Sequence, residues 1–150
     1  MKLIIGDETK HDEQNAQHSH TLDVSGGLFG FPDIKNMELF YDQEELPFMW
    51  LREDNQEGLA FIVIEPGGII PDYTVEISDN DVEYLGITGA DDTMILNIVT
   101  LPSEGNSKIS VNLVGPVIVN RNTLVAKQCI INNHEKYSAR YVLDLADAGE

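Results

Sequence analysis

From Leu22 onward the apolar residues come in short runs, and Gly, Pro, Asn or Asp cuts each run off within about 8 to 12 residues. That spacing leaves no room for a succession of long helices. Each run is long enough for one strand and each break supplies a turn, so chains punctuated in this way fold as antiparallel sandwiches or barrels. The period inside the runs agrees. In Tyr73-Thr74-Val75-Glu76-Ile77 the apolar side chains alternate, which sends Tyr73, Val75 and Ile77 to one face and Thr74 and Glu76 to the other. Leu59-Ala60-Phe61-Ile62-Val63-Ile64 does not alternate and is bounded by Gly58 and Pro66. It predicts a central strand covered on both faces. Further strands are predicted over residues 37–41, 48–51, 94–101, 109–113, 117–119, 128–131 and 137–143. One helix is expected over 79–85, with Ser78 as its N-cap, acids in its first turn and Gly86 as its stop.

The fold class expected is therefore all-β, a small antiparallel β-barrel-like single domain with one short helix. A chain of 150 residues can hide roughly 70% of the surface its unfolded form exposes, enough for one core without cross-links. Cys129 is the sole cysteine, so no internal disulfide forms, and its apolar strand Cys129-Ile130-Ile131 predicts a buried, inert thiol. Residues 6–20 are almost wholly polar. On composition, residues 1–20 are expected to be a mobile arm, 21–145 the β domain and 146–150 a C-terminal tail.

Charge narrows the functional classes. The net charge is −17, and between Lys35 and Lys108 the only basic residue is Arg52, against 16 acids. Such a stretch projects a negative field that repels phosphate backbones and anionic lipid and attracts a basic protein. No apolar run approaches the roughly 20 residues of a membrane span. The opening Met1-Lys2-Leu3-Ile4-Ile5 is halted by Gly6, Asp7 and Glu8, short of a signal-peptide core. The expectation is a cytoplasmic protein.

Residue patterns for catalysis are missing from the sequence. His11, His18 and His20 lie in the polar segment and His134 in a turn, so no three or four ligands share a rigid element. The glycines of Ser25-Gly26-Gly27-Leu28-Phe29-Gly30-Phe31 bring no lysine and follow no phosphate-loop spacing. No nucleophile elbow occurs, and no cofactor is implied. Alternation in Pro47-Phe48-Met49-Trp50-Leu51 places Phe48 and Trp50 on one face, and both are expected in the core. Phe29 and Phe31 are read as core as well, with a pliable docking lip as the alternative. The residues expected to touch a partner are Arg52, Glu53, Asp54, Glu65, Asp72 and Tyr73, which are polar or aromatic and sit at strand ends in the acidic portion.

Gly27-Leu28-Phe29-Gly30-Phe31, Pro47-Phe48-Met49-Trp50-Leu51, Glu65-Pro66 with Pro71-Asp72-Tyr73, and Leu85-Gly86-Ile87 follow one another along the chain. Their order resembles that of the flagellar assembly factor FliW family. Asn97-Ile98-Val99-Thr100, the run from Val111 to Asn120, Gln128 and Tyr137-Ser138-Ala139-Arg140-Tyr141 complete a likeness over residues 24–143. The chain departs from the family in its polar residues 6–20, where the family has a clear strand pair, and in Arg52, where the family has Gln. The resemblance implies a non-enzymatic partner switch that binds flagellin in the cytoplasm. It also implies binding to the translational repressor CsrA, a basic RNA-binding dimer, and relief of the repression of flagellin synthesis. A flagellin-only chaperone-like module and an acidic small-barrel enzyme are the alternatives.

Overall fold

The computed structural model describes residues 1–5, 17–53, 58–102 and 107–144. Its strands are β1 (Lys2–Ile4), β2 (Gln17–Asp23), β3 (Asn36–Asp42), β4 (Met49–Glu53), β5 (Ala60–Ile64), β6 (Thr74–Glu76), β7 (Thr93–Thr100), β8 (Lys108–Val111), β9 (Val117–Asn120), β10 (Ala126–Gln128) and β11 (Tyr141–Asp144). Nine of them form one sheet along the path β10-β9-β7-β5-β4-β3-β2, with β8 beside β7 and β11 beside β8; β1 and β6 form a separate ribbon. β7 joins the parts. Its residues Thr93–Leu96 pair with β9, Asn97–Val99 with β5, and Val99 and Thr100 with β8, all antiparallel.

Apolar residues on the two faces of this sheet build two cores. One gathers Met37, Leu39, Met49, Leu51, Val63, Leu96, Val117 and Val119. The other gathers Ile64, Val99 and Ile118 with Tyr73 and Val75 of the ribbon segment and Leu85 of the helix. Consecutive residues Val63 and Ile64 thus serve opposite cores, and Val117–Asn120 is buried at every position. Loss of alternation in the sequence is the signature of this double burial. The barrel does not close. The two ends of the sheet meet at a single bridge between Asp23 and Val125, where the Asp23 N–H donates to the Leu124 carbonyl at 2.9 Å.

The expected helix is α1 (Asp79–Leu85). The Ser78 hydroxyl accepts from the Asp81 N–H at 3.2 Å. Gly86, at φ 66°, ends the helix and returns its N–H to the Val82 and Glu83 carbonyls. A left-handed residue is what this stop requires, and glycine adopts it without a Cβ clash. Leu85 is buried and Val82 packs against the same core.

Three expectations are corrected. Residues 1–20, read from composition as an arm, carry strand at both ends: Lys2–Ile4 pairs with β6, and Gln17–His20 pairs with Leu39–Asp42 of β3. Leu3 is 3% exposed, and the Met1 carbonyl accepts from the Ile77 N–H at 2.7 Å. A polar segment can be a strand here because β2 is an edge strand that contributes backbone hydrogen bonds, with Leu22 as its buried anchor. Residues 6–16 of that expected arm and the tail at 146–150 lie outside the described residues. The tenth strand lies at Ala126–Gln128, upstream of the expected 128–131, and the last begins at Tyr141 because residues 137–140 form the end of a turn. The third correction, Trp50, belongs to the surface described next.

Candidate partner-binding surfaces

In β4 the inward residues are Met49 and Leu51, at 1% and 0% exposure, so Phe48, Trp50 and Arg52 occupy the other face of the sheet. Near β7 that face is covered by the ribbon and the helix, and Phe48 packs beneath them. At Trp50 the cover has ended. Trp50 stands between its cross-strand neighbours Phe40 and Ile62 with 37% of its surface open, so it is not the core residue that alternation alone suggested.

Arg52 lies beside it. Its Nε and Nη2 each donate to Glu38 Oε1 at 2.7 Å, and its guanidinium sits 4.7 Å from the centre of the Phe40 ring. Glu38 Oε2 accepts from the Ser19 hydroxyl at 2.7 Å. The Ser19 bond and then the Arg52 guanidinium hold the Glu38 carboxyl below the usual carboxylate range. Glu53 Oε1 accepts from the Leu59 N–H at 2.8 Å and ties β4 to the start of β5. A Cβ at Gly58 would run into this carboxylate, so a larger residue there would displace the Glu53 side chain. Arg52, Glu53, Gly58 and Leu59 line an open groove of about 430 Å³ together with Phe40, Trp50 and Ala60. Asp54 lies outside the described residues.

A second groove, of about 670 Å³, runs between the end of β1 and residues 68–74 and is lined by Ile4, Ile69, Ile70 and Asp72. Asp72 is exposed and adopts φ 58°, a left-handed conformation that a short polar side chain tolerates better than most. Tyr73, expected as a contact, presents almost no surface at 2% exposure. Its hydroxyl donates to the Leu113 carbonyl at 2.6 Å and accepts from Asn97 Nδ2 at 3.2 Å, and its ring meets Tyr137 edge-on at 4.9 Å. Burial pushes the phenol above its ordinary pKa, so it stays a neutral donor.

Glu65, also expected as a contact, is 8% exposed, and its Oε1 has no hydrogen-bond partner among the described residues. Burial raises its carboxyl pKa, and the Arg121 charge only partly opposes this. A carboxyl whose folded pKa lies above its unfolded one contributes stability that is complete at low pH and is lost as pH rises through the folded value. Glu65→Gln is therefore expected to gain stability relative to wild type as pH rises from about 4 towards 7. Urea denaturation of both proteins across that range checks it, and a difference that does not change with pH would refute it.

The five expected contact residues that the structure describes do not share one surface. Arg52 and Glu53 share the first groove, Asp72 lies on the second, and Glu65 and Tyr73 are internal. The sequence reading missed three buried polar side chains that place these surfaces. Asn97 Nδ2 donates to the Asn112 carbonyl at 2.9 Å as well as to Tyr73. Asn120 Nδ2 donates to the Leu85 carbonyl at 2.9 Å, and its Oδ1 accepts from the Asn122 and Thr123 N–H groups. Gln128 accepts from the Phe29 N–H at 2.8 Å and donates to the Gly115 carbonyl at 2.9 Å. An amide set in an apolar run, such as Asn97 between Leu96 and Ile98, was the available signal, because a buried amide must find partners. The Gln128 bond holds Phe29 out at 52% exposure, while Gly26 lies so close under the Tyr84 ring that a Cβ would approach it to 2.6 Å. Phe29 is therefore exposed and is not the core residue expected.

Cys129 is 2% exposed and burial pushes its thiol up to about 12, as an inert core thiol requires. Among the described residues no three His, Cys, Asp or Glu side chains converge as a metal-holding group, and no helix is long and apolar enough to cross a membrane.

The fold and these surfaces define a small acidic β domain that offers open, partly aromatic grooves among its described residues. The chain matches the FliW protein family model over residues 6–143, and it belongs to the FliW family. It is 38% identical over 114 residues to the flagellar assembly factor FliW of Leptospira biflexa, covering 76% of this chain and 74% of that one. It is 34% identical over 137 residues to the protein of the same name from Ruminiclostridium cellulolyticum, covering 91% and 92%. A crystal structure of the flagellar assembly factor FliW superposes with a TM-score of 0.70 at 27% identity, over 95% of each chain. The chain is accordingly a flagellar assembly factor of this family.

Proposed function

We propose that this assembly factor works in the cytoplasm as a non-enzymatic partner switch, binding flagellin and, when free of it, the CsrA-type translational repressor. The observation that carries the reading is family membership across residues 6–143 of a chain with net charge −17. A negative field of that size favours a basic partner, and open grooves with aromatic floors suit protein anchors better than small substrates. Of the expected contact residues, Arg52, Glu53 and Asp72 reach the surface, and contact with a partner is assigned to them together with Asp54.

Stopped-flow association with the purified repressor, measured from low to high salt, tests the reading. The association rate is expected to fall steeply as the Debye length shrinks from about 30 Å at 0.01 M towards 8 Å at physiological salt. Binding to flagellin is measured in parallel, and prior saturation with flagellin is expected to abolish capture of the repressor. Flagellin binding without repressor binding would replace the switch with a flagellin-only chaperone, and failure of both would end the proposal.

A further inference from the structure

The groove beside Trp50 has three properties that together select an occupant. Its floor is aromatic and open, because the face of the sheet that carries a core under the ribbon runs on past the edge of that cover to Trp50 and Phe40. Its one cation is already neutralised, since Arg52 gives two charge-assisted hydrogen bonds to a single Glu38 oxygen and lies over Phe40. Its rim is acidic. Glu53 lines it, and it belongs to a stretch of sequence that carries 16 acids between Lys35 and Lys108. An anionic ligand meets no unpaired cation there and has to enter a field set by 16 acids and one base. A cationic side chain meets an aromatic face with acids at its edge, the arrangement in which the stem of a lysine or arginine packs and its charge is attracted by ring and carboxylate alike.

We propose that the Trp50 groove is the docking site for a cationic segment of a protein partner, one Lys or Arg lying across Trp50 with its charged head towards Glu53 and a neighbouring aliphatic residue above Ala60. Ala60 is exposed and stands opposite Arg52 across the strands, so its small side chain leaves the groove open. The proposal rests on the partner-switch reading for the identity of the partner, the basic repressor, but the chemistry of the groove does not.

Trp50 is the only tryptophan in the chain, so its emission reports on this groove alone. The probe is the tryptophan-free peptide Lys-Leu-Arg-Leu-Lys, titrated into the full chain at low and physiological salt, with binding of the intact repressor followed by calorimetry. The peptide is expected to shift Trp50 emission with an affinity that falls as salt rises. Ala60→Arg fills the groove and adds a like charge at a surface position, and it is expected to weaken both peptide and repressor by about tenfold or more with little change in melting. Glu53→Gln keeps an oxygen for the Leu59 N–H while removing the charge, and it is expected to weaken the peptide several-fold. Unchanged emission at saturating peptide, or wild-type repressor affinity in Ala60→Arg, overturns the groove. A repressor that fails to bind wild type while the peptide behaves as expected overturns the partner reading and leaves the groove standing.

Discussion

Deleting residues 1–20 is expected to lower the thermal midpoint by roughly 8 to 16 °C, the shift that a loss of about 4 kcal/mol produces in a domain of this size. The loss has identifiable parts. Leu3, at 3% exposure, is taken out of the core that also holds Val75 and Ile77, a burial worth about 2 kcal/mol. The Ile77 N–H loses the Met1 carbonyl, β6 loses β1 as its strand partner, and Leu39–Asp42 of β3 lose the half of β2 that lies opposite them. Each buried backbone group left without a partner costs about 1 to 3 kcal/mol unless water reaches it. Differential scanning of the full and shortened chains decides the matter. An unchanged transition would mean that the edge pairing contributes nothing, as composition alone suggested. Leu3→Ala is expected to reproduce about half of the loss without removing a strand.

Asn120→Ala is expected to destabilise by about 3 kcal/mol, the largest effect of any single polar substitution named for this protein. Asn120 is 3% exposed and serves two elements at once. Its Nδ2 satisfies the Leu85 carbonyl at the end of α1, and its Oδ1 caps the Asn122 and Thr123 N–H groups in the turn between β9 and β10. Alanine leaves the Leu85 carbonyl unpaired in a buried place and takes the acceptor from the turn N–H groups, which lie nearer the surface. Asn120→Asp separates the two halves of the role: the turn keeps its acceptor, whereas the helix end loses its donor and faces a carboxylate, so a comparable loss is expected at neutral pH. Urea midpoints for the three proteins check this, and an alanine variant within about 0.5 kcal/mol of wild type would show that water replaces the amide.

The three amides Asn97, Asn120 and Gln128 tie strands, helix end and glycine turn into one frame, and the grooves are what that frame leaves uncovered. Exposed Phe29, held by Gln128, and exposed Trp50, held between Phe40 and Ile62, are apolar surfaces that the fold keeps in the open instead of burying. Aromatic groups displayed on a rigid support lose little further entropy on binding, which is the usual basis of an anchor at a protein interface.

Most of the strands from β3 to β9, the helix with both its caps and the double burial at Val63 and Ile64 were legible in the sequence because each depends on near neighbours, whereas the Ala60 end of that strand lies open. Alternation, a cap three residues from its N–H, and a glycine after the last turn are local signals. The negative field was legible too, since charge adds up whatever the fold. Which face of a strand meets a core, and for how long, is not a local property. Phe48 and Trp50 share a face and a pattern, yet one is covered by the ribbon and helix and the other lies beyond them. For the same reason Tyr73 and Glu65 read as surface residues at strand ends while the structure buries them. Gln17–His20 read as an arm although its backbone completes an edge, because strand pairing uses N–H and C=O groups that every residue carries. The sequence by itself determined the class of fold and the sign of its field; the tertiary structure decided which residues stand at its surface, because exposure is set by where the second layer of a sheet stops.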